Sequence, residues 1–183
     1  MFRRYRELWY ALIAIVAITA TYLVAYQQAG SFPAASGLVG HGIGVLGFIL
    51  MLMTEILYSI RKQLTDARWG SMAGWLRSHM MMGLVGPYMV LLHTSMRFRG
   101  LAGLVMLVTA VVVVSGVVGR YIYTRVPRAI DEAERDASAA NRLAAQRGAL
   151  ATWRSFHVPL TWVLFATALV HVVATLYYAT LQR

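Results

Sequence analysis

His79 and His93 stand fourteen positions apart, as do His157 and His171, and each pair lies in its own long apolar segment. At about 100° and 1.5 Å per helical residue, fourteen steps fall roughly 40° short of four turns and rise roughly 21 Å, so each pair shares one helix face at two depths. Two such helices side by side offer two facing pairs of imidazoles, one near each surface of a hydrocarbon core about 30 Å thick. That geometry suits the axial positions of two six-coordinate haems. The other uses of intramembrane histidine are a hydrogen bond to a neighbouring helix and a divalent-metal path. The second ordinarily brings carboxylates or thiolates with it, and the spans read below contain one acidic residue, Glu55. There is no cysteine. Structural disulfides, iron–sulfur ligation by this chain and thioether-linked haem are therefore excluded, and any haem is a non-covalent haem b.

The elements that must position these histidines follow from hydropathy. Apolar residues make up 59% of the chain and come in long blocks instead of stripes, which is too apolar for a soluble domain. An all-α integral membrane bundle of about five transmembrane helices is expected, with spans near 8–26, 38–60, 80–96, 101–123 and 156–181, each close to the length a bilayer requires. The segments outside them are too short for a second core, so residues 1–183 form one membrane domain. The 127–152 connection is expected to hold a separate cytoplasmic surface helix. Pro127 can open it, Asp131, Glu132 and Glu134 fall early, and Arg142 and Arg147 fall late, as a helix dipole favours.

Charge sets the orientation. The 17 basic residues outnumber 7 acidic ones, a balance that could suggest nucleic acid, but their placement fits a membrane better. Only Arg97, Arg99 and Arg183 fall on one side of the five spans. The remainder, among them Arg3, Arg4, Arg6, Arg61 and Lys62, fall on the other. The positive-inside rule then puts the N-terminus in the cytoplasm and the C-terminus outside the plasma membrane, the inner membrane of a bacterium. Nucleic acid is not expected as a partner; membrane lipid is. The opening Met-Phe-Arg-Arg-Tyr-Arg, followed by an apolar stretch, has the form of a signal sequence and is expected to remain as the first anchor.

In this orientation the third and fifth spans run in the same direction, so His79 matches His157 in depth at the inner surface and His93 matches His171 at the outer one. Trp75 and Trp153 each precede the first histidine by four residues, with Arg77-Ser78 and Arg154-Ser155 between. This is either a weak internal duplication or the ordinary dressing of a span that enters from the cytoplasm. Gly86, seven residues from each of His79 and His93, falls midway between the two depths and is the glycine expected to clear space for haem; Gly40, Gly42, Gly44, Gly47, Gly83, Gly116 and Gly119 are open to the same use or to close helix packing. Propionates favour arginine, which makes Arg97 and Arg99 candidates for the outer haem and Arg77 and Arg154 for the inner one, against a plain anchoring role. His41 and Glu55, again fourteen apart, lie on the second span. His41 can bond a propionate, line a quinone pocket, ligate a further haem or simply pack. Glu55 can relay protons to a quinone or pair with Arg61 or Lys62. Met80, Met81 and Met82 are potential ligands but more often filler.

On the histidine spacing from Trp75 to about Tyr178, the chain resembles the dihaem membrane cytochromes b, most closely the transmembrane domain of ferric reductases and NADPH oxidases, whose ligands lie on the third and fifth spans. The resemblance implies a helical bundle in which electrons enter an inner haem held by His79 and His157 and pass to an outer haem held by His93 and His171. That family usually has six spans followed by a flavin and nicotinamide domain, whereas five spans and no NADPH site are read here. Electrons are thus expected from quinol or from another redox subunit, whether a flavin, iron–sulfur or cytochrome c protein. An electron-transfer subunit is expected ahead of a self-contained quinol oxidoreductase or a reductase of ferric chelates or oxygen.

Overall fold

A computed structural model of the chain describes residues 6–63, 70–126, 130 and 140–181. Among these residues there is no strand, and five long helices are present: α1 (Arg6–Ala29), α2 (Leu38–Gln63), α3 (Met72–His93), α4 (Gly100–Tyr123) and α5 (Ala140–Leu181). They fall into two units, residues 1–98 with α1 to α3 and residues 99–183 with α4 and α5. Pro127, Asp131, Glu132 and Glu134 lie outside the described residues.

Four helices, α1, α2, α4 and α5, are long and apolar enough to cross a membrane. Their side chains are sorted as lipid requires. Ile13, Leu107 and Val114 are each more than 60% exposed, while Glu7, Thr54, Thr109 and Thr161 are buried. In water such a surface would be an aggregation hazard; in a bilayer the outward face is the apolar one and polar groups turn inward. The hydroxyls obey the same constraint. Thr19, Thr54, Thr109 and Thr161 each donate to the carbonyl four residues earlier, at 2.7–2.8 Å, which satisfies the hydroxyl within its own helix.

The fifth helix, α3, is less apolar because it carries two histidines, Pro87 and three glycines in 22 residues. At about 1.5 Å per residue it still rises roughly 33 Å. It packs against both α2 and α1, and Val85, Gly86, Pro87, Met89 and Leu92 are buried. The core of the first unit joins Ala11, Val85 and Met89 to Ala14, Ile18, Ile43 and Leu50. The hydroxyls of Thr19 and Tyr88 lie 2.5 Å apart, and the Tyr22 hydroxyl donates to the Leu92 carbonyl at 3.4 Å. Because Thr19 meets Tyr88 and Tyr22 meets Leu92, α1 and α3 run parallel.

Several boundaries differ from the hydropathy reading. Helix α3 starts at Met72 instead of Met80, since Ser71 caps it by accepting the Gly74 N–H, a local signal that polar residues 77–79 do not interrupt. It stops at His93 and not at Met96: Ser95 and Met96 have φ of 48° and 60°, and the Ser95 hydroxyl donates to the Pro33 carbonyl at 2.7 Å. The expected separate surface helix is corrected more substantially. Residues 140–155 run without a break into the last span, making α5 a single helix of 42 residues. The stretch Asn-Arg-Leu-Ala-Ala-Gln-Arg is built of good helix formers, and nothing between 149 and 155 breaks it. Finally, α1 takes in Glu7, which is 3% exposed. Glu55 is therefore not the only acid within a membrane helix, and the first turn is where a helix dipole favours a carboxylate.

Candidate functional site

In the first unit, α2 and α3 run antiparallel and meet backbone to backbone. A Cβ built on Gly47 would come within 2.8 Å of the Gly86 carbonyl oxygen, and one on Gly86 within 2.9 Å of the Gly47 carbonyl oxygen and of Met51. This overturns the expectation for Gly86: the space it clears is filled by α2 and is not left for a porphyrin.

The same close approach serves both histidines of α3. Nδ1 of His79 lies 3.2 Å from the carbonyl oxygen of Thr54, and Nδ1 of His93 lies 2.8 Å from that of Gly40. The acceptors are fourteen residues apart on α2, as the imidazoles are on α3, so one antiparallel register satisfies both. A peptide carbonyl has no proton to give, so each Nδ1 must carry the hydrogen. In the neutral ring the lone pair then resides on Nε2. Metal-binding proteins fix the tautomer of an imidazole with a hydrogen bond of this kind at the other ring nitrogen.

The surroundings of the two rings differ. His93 sits over Gly44, where an added Cβ would lie 2.6 Å from the ring, and the ring of exposed His41 stands edge-on with its centroid 6.4 Å away. His79 is flanked by Tyr58, with ring centroids 4.8 Å apart. Three residues back along α2 from Tyr58, Glu55 accepts a hydrogen bond from Ser59 at 3.4 Å, while Arg61, one of its expected partners, donates to the Gly70 carbonyl at 3.0 Å.

In the second unit, α4 and α5 run antiparallel around a different construction. Trp153 donates from Nε1 to the Ser115 carbonyl at 2.7 Å and fills the place a side chain at Gly119 would occupy. Its ring stacks on His157, 4.8 Å between centroids and 24° between planes. Nδ1 of His157 lies 3.1 Å from the Ser115 hydroxyl oxygen, and Gly116 leaves the space beside its Cε1. Along α5, Thr161, Leu164 and Ala168 are buried on the face that His157 and His171 share. The hydroxyls of Thr161 and Thr175 both return to the carbonyls of those histidines at 2.8 Å, a His-x-x-x-Thr repeat at the same fourteen-residue interval.

All four histidines are half-buried, whereas Arg77, Arg97, Arg99 and Arg154 are exposed. Arg99 is the residue before α4. Arg97 lines an open cleft of about 650 Å³ with Tyr26, Phe32, Ser31, Ser36 and Ser95. Among the described residues no three His, Asp or Glu side chains gather around a point that a bare metal ion could fill.

The residues that reading the sequence missed are those that hold the histidines. Two are backbone carbonyls, to which residue type gives no clue. Ser115 is one hydroxyl in an apolar helix, signalled only in retrospect by its place on α4 opposite His157. Gly44 was one glycine among several of equal standing. Comparison with known protein families, with curated proteins and with solved structures finds no match to this chain.

Proposed function

We propose that this protein carries electrons across a membrane through two b-type haems, one held by His79 and His157 toward the cytoplasm and the other by His93 and His171 toward the outside. The observation that carries the reading is the shared tautomer of His79 and His93, each handing its Nδ1 hydrogen to an α2 carbonyl and keeping a lone pair on Nε2. His79 with His157, and His93 with His171, would hold the two groups, which accords with histidines spread over two depths and, among the described residues, not gathered in a cage. When bound, such a haem supplies reversible one-electron chemistry at its iron.

The chain's own part is positional. α2 orients the α3 imidazoles, Ser115 and Trp153 orient His157, and the apolar helices keep water from the site. In this reading Arg97 and Arg99 would meet the propionates of the outer haem, and Arg77 and Arg154 those of the inner one, and all four are exposed. The positive-inside rule, applied to the basic ends of α2, α4 and α5, supports a cytoplasmic side there and a plasma-membrane protein in this reading. Donor and acceptor are a quinone or other redox subunits.

A reduced-minus-oxidised visible spectrum with pyridine-haemochromogen quantitation on the purified chain tests this directly. Two b-type haems per chain are expected; a colourless folded protein from haem-replete cells refutes it.

The arrangement around Tyr58 favours one second reading, a quinol oxidoreductase. The carboxylate of Glu55, hydrogen-bonded to Ser59, lies on α2 within a turn of the ring that packs on His79, where a hydroquinone giving up electrons must also lose protons. Turnover of a quinol by the purified chain, reduced by Glu55→Gln with both haems retained, would favour it over a relay.

A further inference from the structure

We infer that Ser115 on α4 is a positioning residue that sets the reduction potential of the haem served by His157, through the hydrogen bond its hydroxyl accepts from the imidazole. The inference rests on the haem reading above. Ligation through Nε2 leaves the hydrogen on Nδ1, so across the 3.1 Å contact His157 donates and Ser115 Oγ accepts.

Ser115 differs in kind from the acceptors on α2. The carbonyls of Thr54 and Gly40 belong to the main chain and cannot be altered by changing a side chain. A hydroxyl is also a weaker acceptor than a peptide carbonyl, so it draws less on the Nδ1 proton and leaves the imidazole less electron-rich. Hydrogen bonding at the second ring nitrogen is one of the levers by which a protein tunes a ligated metal. A more electron-rich imidazole favours the ferric state. Removing the acceptor therefore moves the potential upward.

Ser115 is also held where this lever acts on one ring. Its carbonyl accepts Trp153 Nε1–H at 2.7 Å, and Trp153 is stacked on His157 and seated on Gly119. Main chain and side chain of one residue thus fix two positions of α5 a turn apart, and loss of the hydroxyl alone leaves the tryptophan bond in place.

The test is a potentiometric titration of the full chain, followed in the visible band, for the parent protein and for Ser115→Ala, Ser115→Thr and Ser115→Val. In the parent, two haems titrate. In Ser115→Ala both haems are expected to remain, with one wave shifted upward and the other unmoved. Ser115→Thr, which keeps the hydroxyl, is expected near the parent, and Ser115→Val, its isostere without the hydroxyl, near Ser115→Ala. Should Ser115→Ala lose a haem, the Thr and Val pair decides the same question at equal shape. Unmoved potentials in the variants, equal shifts in Thr and Val, or equal shifts of both waves overturn the inference while leaving the two-haem reading intact. Absence of haem from the parent overturns both.

Discussion

Nδ1 of His93 lies 2.8 Å from the carbonyl oxygen of Gly40, and one turn further along α2 the same imidazole covers Gly44 so closely that an added methyl would stand 2.6 Å from the ring. The hydrogen bond and the steric seat act on one ring from one helix, and α3 ends at this histidine. The ring's orientation is therefore set by α2 more than by its own helix.

Gly44→Ala should displace that imidazole. Forcing a methyl into a packed contact costs about 1–3 kcal/mol, and a ligand moved by a few tenths of an ångström from its place weakens axial coordination. Haem content should fall from two per chain toward one, as read by pyridine haemochromogen, while Gly42→Ala, where an added Cβ meets nothing within 4 Å, should keep both. Equal haem content in the two variants would refute the role given to Gly44.

The pairing of ligands has its own signature. His79→Ala and His157→Ala should each remove the same haem, and His93→Ala and His171→Ala the other. The double variant His79→Ala/His157→Ala should then keep one haem, whereas His79→Ala/His171→Ala should keep none. Retention of a haem in the second double variant contradicts the pairing by depth, and retention of two haems in any single variant contradicts ligation by that histidine.

Apolar runs announced α1, α2 and α4 to within a few residues, because lipid-facing helices need long stretches without charge and those stretches dominate any reading by hydropathy. The start of α3 was hidden because Arg77, Ser78 and His79 interrupt the apolar run after its first turn and its cap is a single serine. The continuity of α5 was hidden because a soluble helix and a membrane helix were read as two elements when no residue separates them. The histidines stood out as a candidate site from type and interval alone. What orients them was not: carbonyl acceptors exist at every residue, and only an antiparallel register of α2 on α3 selects Thr54 and Gly40. Gly86 shows the converse error, where a glycine at equal intervals from two candidate ligands was read as clearing space for a cofactor although Gly47 on α2 occupies that space.

Orientation can be tested without background labelling, since the chain contains no cysteine. In intact cells a membrane-impermeant maleimide should modify Ser36→Cys, between α1 and α2, and should leave Asn141→Cys, near the start of α5, unmodified until the membrane is opened. The reverse pattern would place the basic ends outside, against the positive-inside rule.

Trp153 supplies the last test, because two different interactions meet in it. Its Nε1–H bond to the Ser115 carbonyl is removed by Trp153→Phe, which keeps a ring to stack on His157 and should cost about 0.5–1.5 kcal/mol. Gly119→Ala keeps the indole but puts a methyl where the indole lies, which should cost about 1–3 kcal/mol. The two variants should also differ beyond stability. Pushing the indole off Gly119 pushes it against His157, so Gly119→Ala should disturb the low-spin ferric spectrum of one haem or release it, while Trp153→Phe should change melting in detergent with little spectral effect. If Trp153→Phe releases a haem and Gly119→Ala does not, the indole acts on His157 through its hydrogen bond to α4 and not through the packing proposed for it.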